Sequence, residues 1–132
     1  MPKTIIHTDN APAAVGTYSQ AVKVSQALGS TVYVSGQIGL DHSTMSLADG
    51  FEAQARQVMD NLAAICEASG GRLAEVVKFN VSLTDLNDFD ALNKLFVERL
   101  TEPYPARAAV QVAALPKGAV VEIEAILHLE SD

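Results

Sequence analysis

Alternation of apolar and polar positions marks six short stretches of the chain, and two others carry apolar residues at helical spacing. Thr4-Ile5-Ile6-His7 reads as a strand ended by the turn formers Asp9-Asn10-Ala11-Pro12, and Ala13 to Ser19 reads as a loop. Gln20 to Val24 and Ser30 to Ile38 follow as two strands of a meander. Within the second, Ser35-Gly36-Gln37 interrupts the alternation. A strand glycine marks either a simple bulge or the close approach of another group, so this tripeptide is read as a bulge or a pocket wall. Phe51, Ala55, Val58, Leu62, Ile65 and Cys66 then recur as one helical face up to Ser69, where Gly70-Gly71 stops the helix. Val77, Phe79, Val81 and Leu83 alternate with polar residues in a further strand. Asn87 or Asp88 caps a second helix with Phe89, Leu92, Phe96 and Leu100 on its apolar side, terminated by Pro103-Tyr104-Pro105.

The last two strands carry charges in apolar company. Leu115-Pro116-Lys117-Gly118 suits a type I turn, so Pro105 to Leu129 is expected to form a hairpin. Centring the turn between Pro116 and Lys117 pairs Arg107 with Ile126 and Glu122 with Gln111. Arg107, Ala109, Gln111, Glu122 and Glu124 would then share one face, with Val121, Ile123, Ala125, Leu127 and Leu129 on the other. The resulting order, β-β-β-α-β-α-β-β, predicts one α+β domain over residues 1–132, a mixed sheet with two helices on one face. The uncovered face, with Ser35, Ala109 and Ile126, is a poor surface for solvent and predicts a subunit interface.

Composition narrows the function. Nearly half the residues are apolar, enough to fold without disulfides or a metal. Nine Lys and Arg against sixteen Asp and Glu give a net charge of −7, which repels nucleic acid. Cys66 is the single cysteine, the Met1-Pro2-Lys3-Thr4 start carries no apolar signal, and no apolar run reaches the roughly 18 residues of a membrane span. A cytoplasmic protein with no membrane and no nucleic-acid partner is expected.

Arg107 is the best-placed clamp for a small carboxylate, because a guanidinium donates two parallel hydrogen bonds and stays charged. An internal ion pair with Glu122 or Glu124 is the competing reading. Two carboxyls at i and i+2 on one strand face lie roughly 6 to 7 Å apart, and one of them could have its pKa raised into a range useful for acid–base chemistry. The alternative is a solvated strand face. In the assumed hairpin Arg107 and Glu122 are four positions out of step, roughly 13 Å along the strands. Either the register is shifted or the two come from different subunits, and the second is favoured. Cys66 on the apolar helix face reads as inert. His7, His42 and His128 lack ligand spacing, so no metal site is expected.

These residues lie in blocks that resemble the reactive-intermediate (enamine/imine) deaminase family, RidA, also known as YjgF or L-PSP endoribonuclease-like. The blocks are Asn10 to Ala21 (NAPAAVGTYSQA), Val34-Ser35-Gly36-Gln37-Ile38, Asp85-Leu86-Asn87-Asp88-Phe89, and Pro105-Ala106-Arg107 through Leu115-Pro116-Lys117 to Val121-Glu122-Ile123-Glu124. The resemblance implies a chorismate-mutase-like fold, a homotrimer with a barrel-like centre, and clefts between subunits. It implies cofactor-free hydrolysis of 2-aminoacrylate and other 2-imino acids to 2-oxo acids and ammonia. On that basis Arg107 would bind the substrate carboxylate and Glu122 would position the attacking water or move its proton. Tyr18, Ser35, Gly36 and Asn93 would line the pocket, as would Ala109, where many relatives carry cysteine. Thr17 replaces a frequent proline, the Thr101 to Tyr104 connection looks short, and the segment between Val24 and Thr31 looks long. Three rivals stand beside this reading: a carboxylate-binding trimer without turnover, a ribonuclease or translation inhibitor, and a chaperone-like trimer.

Overall fold

The computed structural model describes residues 3–131; Met1, Pro2 and Asp132, which the single-domain reading includes, lie outside it. Its strands are β1 (Lys3–Ile6), β2 (Ala21–Gln26), β3 (Gly29–Gln37), β4 (Val76–Leu83), β5 (Ala106–Gln111) and β6 (Val121–Glu130), and its helices are α1 (Phe51–Ala68) and α2 (Phe89–Arg99). Element order and type agree with the sequence pattern, and the fold is α+β. All strands join one mixed sheet in the order β1-β2-β3-β6-β4-β5.

The expected β5–β6 hairpin does not form. β5 pairs with β4 in parallel, Phe79 opposite Arg107 and Val81 opposite Ala109, while β6 lies on the other side of β4, antiparallel to it and to β3. The cause is the crossover through α2, which returns the chain to the end of the sheet where β4 began and so imposes a parallel partner. Leaving β5, the chain passes over the end of β4, where Val112 N–H donates to the Leu83 carbonyl (2.8 Å) and Thr84 N–H to the Val120 carbonyl (3.2 Å). The Pro116–Gly118 turn within that connection is not a simple type I turn, because Lys117 has φ 59° and ψ 20°.

The alternation within β6 is as expected. Val121, Ile123, Ala125 and Leu127 are buried beneath the helices together with Phe79, Val81, Leu83, Val32 and Val34. α1 contributes Ala55, Val58, Met59, Leu62, Ile65 and Cys66, and α2 contributes Leu92, Leu95 and Phe96. Gly70 (φ 97°) ends α1 as read from the sequence, and Lys23 Nζ donates to the Ser69 carbonyl (2.9 Å), placing a cation at the negative end of the helix. Asp88, one of the two residues read as the cap, stands at the N-cap of α2, but its side chain makes no capping hydrogen bond. Asp85 accepts from Asn87 N–H (2.8 Å), satisfying the short 3-10 turn that leads into the helix.

Cross-strand partners share a face, so the register fixes which residues look where. Arg107, Ala109 and Gln111 sit level with Phe79, Val81 and Leu83 on the helix side. Glu122 and Glu124 sit level with Ser82 and Asn80 on the opposite side. The expectation that Arg107, Ala109 and Gln111 share a face with the two glutamates is therefore overturned, and Ala109 leaves the uncovered face to pack against the core. That uncovered face exposes Ile5, Tyr33 and Val110 and carries half-buried Ile126. No described helix is long and apolar enough to cross a membrane.

Candidate active site

The candidate residues fall into two clusters on opposite faces of the sheet. The first is built on a bulge in β3. Val34 pairs with Ala125 and Gln37 with Ile123, so Ser35 and Gly36 together oppose Glu124 alone. The extra residue brings Gly36 against Glu122, where a Cβ would lie 2.9 Å from the Glu122 carboxyl carbon. Both readings of the Ser35-Gly36-Gln37 interruption therefore apply: the segment is a bulge, and a side chain closes upon it. Ser35 Oγ donates to the Ser19 carbonyl (2.6 Å) and Ser35 N–H to the Gln20 carbonyl (2.9 Å), tying the bulge to the loop that carries Tyr18.

Between these parts opens a cleft of about 460 Å³ whose lining includes Tyr18, Ser35, Gly36, Met45, Lys117 and Glu122. Its framework is held by buried amides. Gln20, 2% exposed, accepts from Thr8 N–H (2.8 Å) and donates to the Thr8 (3.0 Å) and Pro12 (2.8 Å) carbonyls. Asn61 donates to the Leu40 carbonyl (3.0 Å), and Gln54 accepts from Val120 N–H (2.9 Å). Three segments around the cleft thus have a backbone group tied to a buried side-chain amide. Partial burial, reinforced by the neighbouring Glu124 charge, raises the pKa of the Glu122 carboxyl above its ordinary value. Glu124 is exposed and accepts from Asn80 Nδ2 (3.0 Å).

The second cluster is built where β5 meets α2. Arg107 Nη1 donates to Asn93 Oδ1 (2.6 Å), and its Cζ lies 5.0 Å from the centre of the Phe89 ring and 5.5 Å from that of Phe96. Two ring faces and a neutral amide orient the guanidinium without cancelling its charge. Among the described residues no carboxylate lies within 4.0 Å of Arg107, so the internal ion pair with Glu122 or Glu124 is not made. A cavity of about 420 Å³ opens beside it, lined by Asn93, Phe96, Val97, Leu100, Tyr104, Pro105 and Arg107.

Tyr18, Ser35, Gly36 and Glu122 are thus brought together, as are Asn93 and Arg107, but the two groups are not joined within one chain. Ala109 lines neither opening. Gln111 also lies outside both, and its Oε1 accepts from Leu86 N–H (2.9 Å). The sequence reading assigned Phe89 and Phe96 only to the core and overlooked Met45 and Lys117, which line the Glu122 cleft from backbone at φ 58° and 59°. For Lys117 a signal was present, a charged residue between a proline and a glycine in a connection too long for a tight hairpin. Cys66 is buried, and desolvation pushes its thiol up to about 12, in keeping with the inert role read for it.

A guanidinium with no carboxylate on it among the described residues and a carboxyl of raised pKa each stand in an opening of small-molecule size on an α+β domain. The chain belongs to the RidA family, also called YjgF: residues 8–129 match the family model described as Endoribonuclease L-PSP. The crystal structure of RidA from the Antarctic bacterium Psychrobacter sp. PAMC 21119 superposes with a TM-score of 0.91 at 68% identity, covering 96% of this chain and 99% of that one. A 2-iminobutanoate/2-iminopropanoate deaminase of Dermatophagoides farinae is 46% identical over 130 residues, 98% of each chain. The Homo sapiens protein of the same name is 46% identical over 125 residues, 94% of this chain and 88% of that one.

Proposed function

We propose that the chain is a cofactor-independent imine deaminase, hydrolysing 2-aminoacrylate and other 2-imino acids to 2-oxo acids and ammonia at sites shared between the protomers of a homotrimer. The observation that carries this reading is the absence, among the described residues, of any carboxylate on Arg107, together with its location across the sheet from Glu122. One protomer's Arg107 cluster would face its neighbour's Glu122 cleft, with the uncovered sheet face and its Ile5, Tyr33, Ile126 and Val110 buried between subunits. The deaminase names of relatives at 46% identity support the substrate class.

The chemistry asks little of the protein. Arg107 takes the substrate carboxylate through paired N–H groups, leaving C2 of the imine facing the neighbouring cleft. The substrate reacts as its protonated imine: water adds to C2 as Glu122 accepts one of its protons, giving the neutral carbinolamine. Glu122 then gives that proton to the amino nitrogen, and as the C–N bond breaks it takes the hydroxyl proton, so that the carbonyl forms and ammonia leaves, carrying that last proton away as ammonium. A carboxyl whose charged form is disfavoured is a stronger base than an ordinary glutamate and suits this shuttle. Fixed orientation and one general acid–base group are together worth several kcal/mol of barrier, on the order of 10³-fold or more.

The test couples an amino-acid oxidase, which generates imino acids, to semicarbazide capture of the imine that remains. Faster loss of capturable imine when the protein is added supports the reading, and an unchanged rate refutes it. Sedimentation showing a monomer at micromolar concentration would refute the shared site. A carboxylate-binding trimer without turnover would show thermal stabilisation by 2-oxobutanoate and no ammonia release. The net charge of −7 weighs against ribonuclease activity.

A further inference from the structure

Glu122 and Glu124 both line a cleft that, on the reading above, must admit an anion, in a chain whose net charge is −7. Arg107 cannot supply the attraction from within the same chain, because it lies on the other face of the sheet. The cleft has one cation in its lining, Lys117. Its backbone sits in the left-handed region, φ 59° and ψ 20°, between Pro116 and Gly118. A residue with a Cβ adopts that conformation at a cost, and here the neighbouring proline and glycine dictate the local path of the chain. Among the described residues no carboxylate lies within 4.0 Å of its ammonium, so the charge is not consumed by an internal ion pair. The turn is fixed from behind, since Val120 N–H is held by the buried Gln54 (2.9 Å) and Ala119 N–H donates to the Pro116 carbonyl (3.1 Å).

We propose that Lys117 is a substrate-capture residue, an ammonium at the rim of the Glu122 cleft that draws the anionic imino acid past the two glutamates toward the arginine clamp. This rests on the imine-deaminase reading and adds a residue to it. A single charge acting across solvated space raises capture rather than the chemical step, so its contribution belongs in kcat/KM and is screened by salt.

The experiment compares wild type, Lys117→Gln, Lys117→Arg and a charge-matched control, Arg72→Gln, on an exposed side chain outside both clefts. Semicarbazide competition with the imine of 2-aminobutyrate is run from about 0.02 to 0.5 M salt. Lys117→Gln is expected to lower kcat/KM about three- to tenfold at low salt, mainly through KM, and to flatten the salt dependence. Lys117→Arg should restore both, and Arg72→Gln should match wild type. An active wild type whose kcat/KM and salt slope are unchanged in Lys117→Gln, or a Lys117→Gln defect confined to kcat, overturns the capture role while leaving the deaminase reading standing. A wild type that neither turns over imines nor binds 2-oxobutanoate overturns both.

Discussion

Gly36→Ala should separate folding from function in this chain. The added Cβ would stand 2.9 Å from the Glu122 carboxyl carbon, 3.1 Å from its Cγ and 3.2 Å from Oε2, so its three nearest neighbours all belong to that one side chain. Carbon atoms pack at about 3.5–4.0 Å, so the carboxyl must retreat by about 0.6 Å or more. An off-rotamer side chain costs about 0.5–1.5 kcal/mol, whereas replacing a strand glycine by alanine recovers about 0.5–1 kcal/mol of backbone entropy. The net change in stability is therefore within about 1 kcal/mol of zero. Catalysis is less forgiving: misplacing a reacting group by about 1 Å can cost 10²-fold, so turnover should fall by about 10- to 100-fold. Gly39→Ala supplies the contrast. Its Cβ would meet Gln54 Cα at 2.7 Å and the Gln54 carbonyl oxygen at 2.8 Å, helix backbone that cannot swing aside, and about 1–3 kcal/mol of stability should be lost. Urea denaturation and imine hydrolysis measured on both variants decide the matter. Full turnover in Gly36→Ala would show that the Glu122 carboxyl does not act from its position against the bulge, and unfolding of that variant would show that the strain is not confined to one side chain.

Other consequences follow from the same geometry. Arg107→Ala should abolish accelerated imine hydrolysis while leaving the denaturation midpoint within a few degrees of wild type, because the guanidinium is exposed and holds together no ion pair among the described residues; Arg107→Lys should recover little, since a lysine cannot make the paired hydrogen bonds. Glu122→Gln should lower kcat more than it weakens 2-oxobutanoate binding. It should also stabilise the fold at neutral pH. A carboxyl whose pKa is raised on folding holds more protons folded than unfolded, so its destabilisation is absent below the ordinary value of 4.5, grows as pH rises towards the raised value, and is complete above it. Thermal melts at pH 4 and pH 8 should show the Gln variant gaining only at the higher pH. Cys66 should resist thiol reagents at pH 8 in the folded protein and react on unfolding, as a buried thiol with a pKa of about 12 requires.

Local periodicity carried nearly all of the secondary structure, because each element buries one face and its residues repeat accordingly. The alternation of Val121, Ile123, Ala125 and Leu127 predicted which side of β6 meets the helices, and Gly70 announced the end of α1. Pairing was not legible in the same way. Pro116 and Gly118 satisfy the local requirements of a hairpin turn, yet nothing local records that β6 has both edges occupied by β3 and β4. Candidate residues could be named one at a time from their chemistry, but their grouping depends on register, and a parallel β5 moves Arg107 to the other face from Glu122. The buried amides Gln20, Gln54 and Asn61 were missed for a related reason. An isolated polar residue on an apolar face gives no hint that its partners are backbone groups of loops distant in sequence.

On the proposed deaminase reading, the parallel pairing of β4 and β5 also decides what a complete site requires. A sheet separates the layers on its two sides by about 10 Å, and no rotamer of Arg107 can pass through β4 and β6 to reach the Glu122 carboxyl. Arg107 is besides held on its own side by Asn93, Phe89 and Phe96. Rearranging the register to bring the two together would move the buried β6 side chains to solvent, since a shift of one residue exchanges faces. A second copy offers another solution without altering the fold. A rotation that packs uncovered sheet faces around a common axis can carry one protomer's helix-side edge to its neighbour's cleft, each protomer giving one half-site and receiving the other. Mixing Arg107→Ala with Glu122→Gln protomers then has a definite outcome. If each site draws on two chains, co-refolded mixtures of the two inactive variants must regain part of the wild-type rate, because some interfaces pair an intact Arg107 with an intact Glu122. If each site belonged to one chain, no mixture could recover activity. Absence of recovery in a mixture shown by mass to contain mixed oligomers would exclude the shared site.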